Sequence, residues 1–161
     1  MTNTFMTRAI DEAELQALAA DMAGQLAAPM IIYLEGDLGA GKTTFTRALL
    51  RGLGFKGPVK SPTYGLLEVY ALQDIDVVHL DLYRIAETGE LEFLGLDDLH
   101  SKRAVFMVEW PDRGAGRLPD PDLTISFEHA ADLRKLALTP HSIHAKEFCK
   151  ALSSTLNSYS S

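Results

Sequence analysis

Residues Gly36 to Thr43 read Gly-Asp-Leu-Gly-Ala-Gly-Lys-Thr, a match to G-x-x-x-x-G-K-[ST]. No other stretch restricts the fold as much, because such a loop works only where a strand delivers it and a helix starts on it. Gly36 and Gly41 permit backbone conformations that a Cβ blocks, so successive N–H groups from Asp37, Leu38, Gly39 and Ala40 onward can converge on phosphate oxygens. Lys42 then adds a point charge at the bridge between β- and γ-phosphate, and Thr43 offers a hydroxyl to magnesium. Thr44 continues the helix whose positive dipole end faces the phosphates. From average residue usage, a chance match in a chain of 161 residues arises about once in two hundred chains.

The flanks agree with the motif. Met30 to Glu35 is a short apolar run that suits a strand buried on both faces, and Lys42 to Leu53 is a run of helix formers with Phe45, Leu49 and Leu53 on one side, ended by Gly52 and Gly54. Upstream, Asp11 followed by Glu14 starts a helix whose Leu15, Leu18, Ala19, Met22 and Leu26 share a face until Pro29. Leu66 to Ala71 and Val77 to Tyr83 are expected to be antiparallel strands, Ala104 to Trp110 a buried strand stopped by Pro111, and Asp122 to Glu128 with Leu133 to Thr139 a second hairpin. Residues Met1 to Arg8 are expected to form an edge strand, and His144 to Leu156 a terminal helix with a serine-rich end that frays after Ser153. The expected architecture is α/β: a P-loop NTPase three-layer sandwich around a mixed, largely parallel sheet that includes antiparallel hairpins. One domain covers residues 1–140, followed by a helix and tail over 141–161.

Composition narrows the setting. A net charge of −7 with pI near 5.1 opposes unaided binding to nucleic acid, so any RNA is expected to be engaged through a partner. The apolar window from Leu15 to Leu34 is broken by Asp21, Gln25 and Pro29, which argues against a membrane span. A single Cys149 and the charged Arg8, Asp11, Glu12 and Glu14 point to the cytoplasm.

Magnesium needs further oxygen ligands, and strand-end carboxylates are the usual source. Asp81 in Val77 to Tyr83 and Glu109 at the end of Ala104 to Glu109 are the candidates, against the alternative of outward-facing or ordinary strand-end charges. Which of the two binds metal and which orients water stays open. Ser61-Pro62-Thr63-Tyr64 occupies the loop position where nucleotide switches sense the γ-phosphate, with Pro62 holding Ser61 extended. Among Arg84, Arg103, Arg113 and Arg117, Arg84 is the preferred charge stabiliser because it shares a segment with Asp81. A zinc site from His141, His144 and Cys149 has no second cysteine to support it. No lysine follows Asn or Thr, so the guanine-reading segment of GTPases is missing and ATP is favoured.

Glu35 to Thr44, Ser61-Pro62-Thr63-Tyr64, His79-Leu80-Asp81-Leu82-Tyr83-Arg84 and Glu109-Trp110-Pro111, in that order, resemble the bacterial TsaE family, formerly YjeE. The likeness spans about Glu35 to Arg113. It implies an ATPase of tRNA threonylcarbamoyladenosine biosynthesis that engages the TsaD–TsaB heterodimer and resets it through ATP hydrolysis, touching tRNA only indirectly. Carried over by motif, Lys42 and Thr43 serve phosphate and magnesium, Thr63 the switch, Asp81 and Glu109 the metal and attacking water, and Trp110 lies beside the site. The competing classes are a small-molecule kinase, which needs an arginine-rich lid and an acceptor pocket, and a nucleotide-gated binding module with negligible turnover.

Overall fold

The computed structural model describes residues 4–37, 39–59, 66–85, 91 and 101–160, so Leu38, Ser61 and Thr63 lie outside the described residues. Their expected roles are carried forward without a structural account.

The chain runs β1 (Phe5–Met6), α1 (Glu12–Gln25), β2 (Met30–Glu35), α2 (Lys42–Gly52), β3 (Leu67–Ala71), β4 (Asp76–Asp81), β5 (Ala104–Glu109), a 3-10 turn (Pro111–Gly114), β6 (Leu123–Ala130), β7 (Leu133–Pro140), α3 (Ile143–Ala151) and α4 (Ser153–Ser158). One seven-stranded sheet has the order β1-β7-β6-β2-β5-β4-β3. Its centre is parallel, with β2 paired to both β5 and β6, and β4 paired to β5. The flanks are antiparallel: β3 on β4, β7 on β6, and β1 on β7 at the far edge. Both expected hairpins are present, and the mixed α/β sheet is the one the sequence predicts.

Burial on both faces explains the apolar run of β2. Met30, Ile32 and Leu34 enter the larger core cluster with α1, α2, α3 and α4, while Ile31 and the half-buried Tyr33 join a smaller one on the opposite face. That second cluster also holds Val78, Leu80, Leu82, Ile85, Leu91, Phe106 and Val108. Helix α1 begins on a capping box: Glu14 N–H donates to the Asp11 carboxylate, and Asp11 N–H donates to that of Glu14. Gly52 lets α2 approach α1 closely, since a Cβ there would stand 2.8 Å from Ala23 Cβ.

The C-terminal segment differs from the expected frayed end. Ser142 caps α3 through Ala145 N–H at 3.1 Å, and Ser153–Ser158 is helical. Phe148, Cys149, Leu152 and Leu156 are buried in the same cluster as α1 and β2. The serines mark only the solvent side of α4; Leu156 and Tyr159 hold the other side by apolar packing. No described helix is long and apolar enough to cross a membrane.

Candidate nucleotide site

Strand β2 ends at Glu35, and the chain turns at once into the glycine loop, with α2 starting at Lys42. Gly36, Gly39 and Gly41 all have positive φ, and Gly41 at φ 110° is the N-cap of α2. At Gly36 the need for glycine is also spatial, because a Cβ would meet Phe127 O at 2.6 Å. The loop is therefore shaped by β6 behind it as well as by its own residues. Asp37 O accepts from Ala40 N–H at 3.1 Å, and the Ala40 side chain is fully buried. The first four amides of α2 carry no side-chain cap, which leaves that end open to an anion.

Lys42 is 4% exposed. Its Nζ donates to Gly36 O at 2.5 Å and lies 3.8 Å from the centroid of the Trp110 ring. Burial lowers its pKa, and Glu109, Asp81, Asp37 and Asp112 oppose that shift. The ammonium is thus bent back within its own loop and covered by an aromatic face.

Asp81 and Glu109 are brought together by sheet register. They are direct partners across the parallel pair β4–β5, both at the C-terminal ends of their strands. Residues two apart share a face, so Val77, His79 and Asp81 align with Val105, Met107 and Glu109 on the side of α2. Both carboxylates are buried, at 7% and 3% exposure, which rules out the outward-facing alternative. Burial raises the pKa of Asp81 most; the Tyr83 N–H, which donates to Oδ1 at 3.1 Å, opposes the shift and Glu109 reinforces it.

Two residues to which the sequence reading gave no role belong to this site. His79 Nε2 lies 2.6 Å from Glu109 Oε2, both side chains buried. With an ionised carboxylate as acceptor, Nε2 carries the proton, and His79 Nδ1 is left buried without a partner. Its signal was available as the i, i+2 spacing from Asp81. The second is Arg134, from β7, which lines the same cavity.

That cavity, about 250 Å³, is bounded by Gly39, Gly41, Lys42, Thr43, Thr44, Asp81, Glu109 and Trp110 together with Glu12 and Arg134. A neighbouring cavity of about 350 Å³ shares Trp110 with it and is lined also by Glu35, Gly36, Asp37, Pro111 and Asp112. Trp110 itself has left-handed backbone at φ 58° and packs at a tilt against Tyr83, with ring centroids 5.0 Å apart, and Arg113 lies over the Tyr83 ring at 5.2 Å. Arg84 is exposed beyond the end of β4 and is not among the residues that line the cavity of Lys42, Asp81 and Glu109. His141 pairs with Thr124 at 2.9 Å, His144 with Ala27 O at 3.0 Å, and Cys149 is buried in the core, so the structure does not bring these three together as a metal site.

A parallel-centred sheet with a glycine loop between its central strand and the following helix defines the P-loop NTPase fold class. Within that class the chain belongs to the TsaE family: the model described as "Threonylcarbamoyl adenosine biosynthesis protein TsaE" matches residues 9–136. The chain is similar to the tRNA threonylcarbamoyladenosine biosynthesis protein TsaE of Haemophilus influenzae, 41% identical over 124 residues that cover 77% of this chain and 78% of that one. The TsaE of Bacillus subtilis is 35% identical over 147 residues, covering 91% and 92%. The crystal structure of Bacillus subtilis YdiB superposes with a TM-score of 0.81 at 29% identity, over 96% of this chain and 97% of that one. The family serves threonylcarbamoyladenosine biosynthesis.

Proposed function

We propose that the loop binds ATP with magnesium and that the chain hydrolyses it slowly to regulate the TsaD–TsaB transferase complex in the cytoplasm. The observation that carries this reading is one cavity bounded by a phosphate-type loop, a buried lysine, a threonine hydroxyl and two buried carboxylates in register.

The residues fit that cargo. Lys42 is bent back on Gly36 O and can be drawn outward by a phosphate oxygen. Thr43 and Asp81 would hold magnesium. When bound, the ion would supply neutralisation of phosphate charge. Burial disfavours a lone anion at Asp81, and a cation beside it would offset that cost. Glu109, with Oε2 fixed by His79, keeps its other oxygen for the attacking water. Thr63, with Ser61, is the γ-phosphate sensor whose release after hydrolysis the partner complex reads. The net charge of −7 supports contact with tRNA through partners rather than directly.

The test is magnesium-dependent ATP turnover of the protein alone and with TsaB–TsaD added, for the parent and for Lys42→Ala. The expected result is slow turnover alone, acceleration with the pair, and loss of both in the variant. Rapid turnover without partners, or phosphate transfer to a small acceptor, would return the reading to a kinase.

A further inference from the structure

Arg134 stands on β7, with its backbone fixed by two bonds to Ile10: Arg134 N–H donates to Ile10 O at 2.9 Å and Ile10 N–H to Arg134 O at 2.8 Å. Leu136 and Leu138, at the same parity along the strand, are buried in the helix-side core, so Arg134 projects toward the helices and the loop. It arrives directly behind the loop's last glycine, where a Cβ on Gly41 would lie 3.8 Å from Arg134 Nε. Its side chain lines the phosphate cavity, yet Nε and Nη1 are buried with no hydrogen-bond partner. Glu12, exposed in the first turn of α1, borders the same end of the cavity without satisfying either nitrogen. Buried guanidinium N–H groups without acceptors are costly and rare in folded proteins, and an anionic ligand is the acceptor this location admits.

Topology says which part of the ligand that is. Asp81 and Glu109 come from β4 and β5 on one side of β2, whereas Arg134 comes from β7 beyond β6 on the other. In a loop of this type the α- and β-phosphates lie in the amide cradle, and the γ-phosphate and metal lie toward the lysine and the carboxylates. Resting on the reading of the loop as a nucleotide site, we propose that Arg134 binds the α/β end of the phosphate chain, gripping di- and triphosphates alike. It is a binding residue and not a γ-phosphate charge stabiliser of the arginine-finger kind.

Equilibrium binding of magnesium-ADP and of a magnesium-bound non-hydrolysable ATP analogue tests this on the full chain with Arg134→Met, Arg134→Lys and Lys42→Ala. Loss of one or two charge-assisted bonds predicts about 10- to 100-fold weaker binding of both nucleotides to Arg134→Met, with their affinity ratio kept. Arg134→Lys falls between it and the parent. The ligand-free melting temperature of Arg134→Met should equal or exceed the parent's, since two unpartnered donors are removed; a marked drop means a structural role and overturns the proposal. Weakening confined to the triphosphate analogue overturns the α/β placement. Unchanged affinity in Arg134→Met, with Lys42→Ala binding nothing, overturns Arg134 alone. Unchanged affinity in Lys42→Ala removes the loop reading and this proposal with it.

Discussion

At the scale of residues, the buried acid at Asp81 sets function against stability. Its folded pKa lies above the ordinary carboxylate value, chiefly through burial. The stability linked to this group is therefore full below the unfolded carboxylate range and is lost as pH rises through the folded value, so near neutrality the charge is a burden. Asp81→Asn should raise the ligand-free melting temperature by about 2–4 °C, on the order of 1 kcal/mol for a domain of this size, while sharply reducing magnesium-dependent hydrolysis. A calorimetric scan at pH 7 and an ATPase assay on one preparation check both halves. His79 has the opposite role: His79→Ala leaves the buried Glu109 carboxylate unpaired and should cost about 2 kcal/mol, a drop of about 4–8 °C. Trp110, the sole tryptophan, has Lys42 Nζ at 3.8 Å from its ring centroid, so any ligand that draws the lysine outward should change its emission. A magnesium-ATP titration that leaves the fluorescence flat would separate Trp110 from the site.

Between elements, α1 and α2 meet through small residues, and two glycines distinguish contact from propensity. Gly24 in α1 is exposed, with nothing within 4 Å of an added Cβ, so Gly24→Ala should stabilise by about 0.5–1 kcal/mol. Gly52→Ala gains the same propensity but places a methyl 2.8 Å from Ala23 Cβ and 3.0 Å from Ala20 Cα, which forces α2 outward. Overpacking costs about 1–3 kcal/mol, so the net effect should be destabilising by about 1 kcal/mol in urea melts. The strands, hairpins and capping box were legible in the sequence because each is local: apolar runs, turn residues, and Asp11 three residues before Glu14. The carboxylates were legible as charges interrupting apolar strands. The pairing of Asp81 with Glu109 was not, because it depends on which strands are neighbours in the sheet. Arg134 was illegible for the same reason, since it lies in a hairpin far along the chain from the loop it backs.

Taken whole, the molecule builds its last helices into the larger of its two cores. Phe148, Leu152 and Leu156 are buried among residues of α1 and β2, and each large side chain contributes about 1.5–3 kcal/mol. Together they rival a typical total stability of about 5–15 kcal/mol, so a chain cut after Pro140 should lack cooperative melting by circular dichroism. Cys149 provides a probe of the same region. Burial pushes its thiol up to about 11. The stability linked to the thiol is retained below the ordinary cysteine range and lost as pH rises toward that value. Native protein near pH 8 should react with a thiol reagent only as fast as α3 opens, and unfolded protein at once. Prompt labelling of native protein would show that α3 is not held as described.

The central position of β2 bears on how the molecule comes into being on the ribosome. Its two parallel partners are β5 and β6, both encoded far downstream, and the glycine loop hangs from its end. At about 5–20 residues per second, the loop is synthesised several seconds before Glu109 and longer still before Arg134. A nascent chain arrested short of β6 therefore carries the whole motif without Phe127, the residue that shapes the turn at Gly36. Such a chain should be blind to nucleotide, and competence should arrive only once the second hairpin has cleared the exit tunnel.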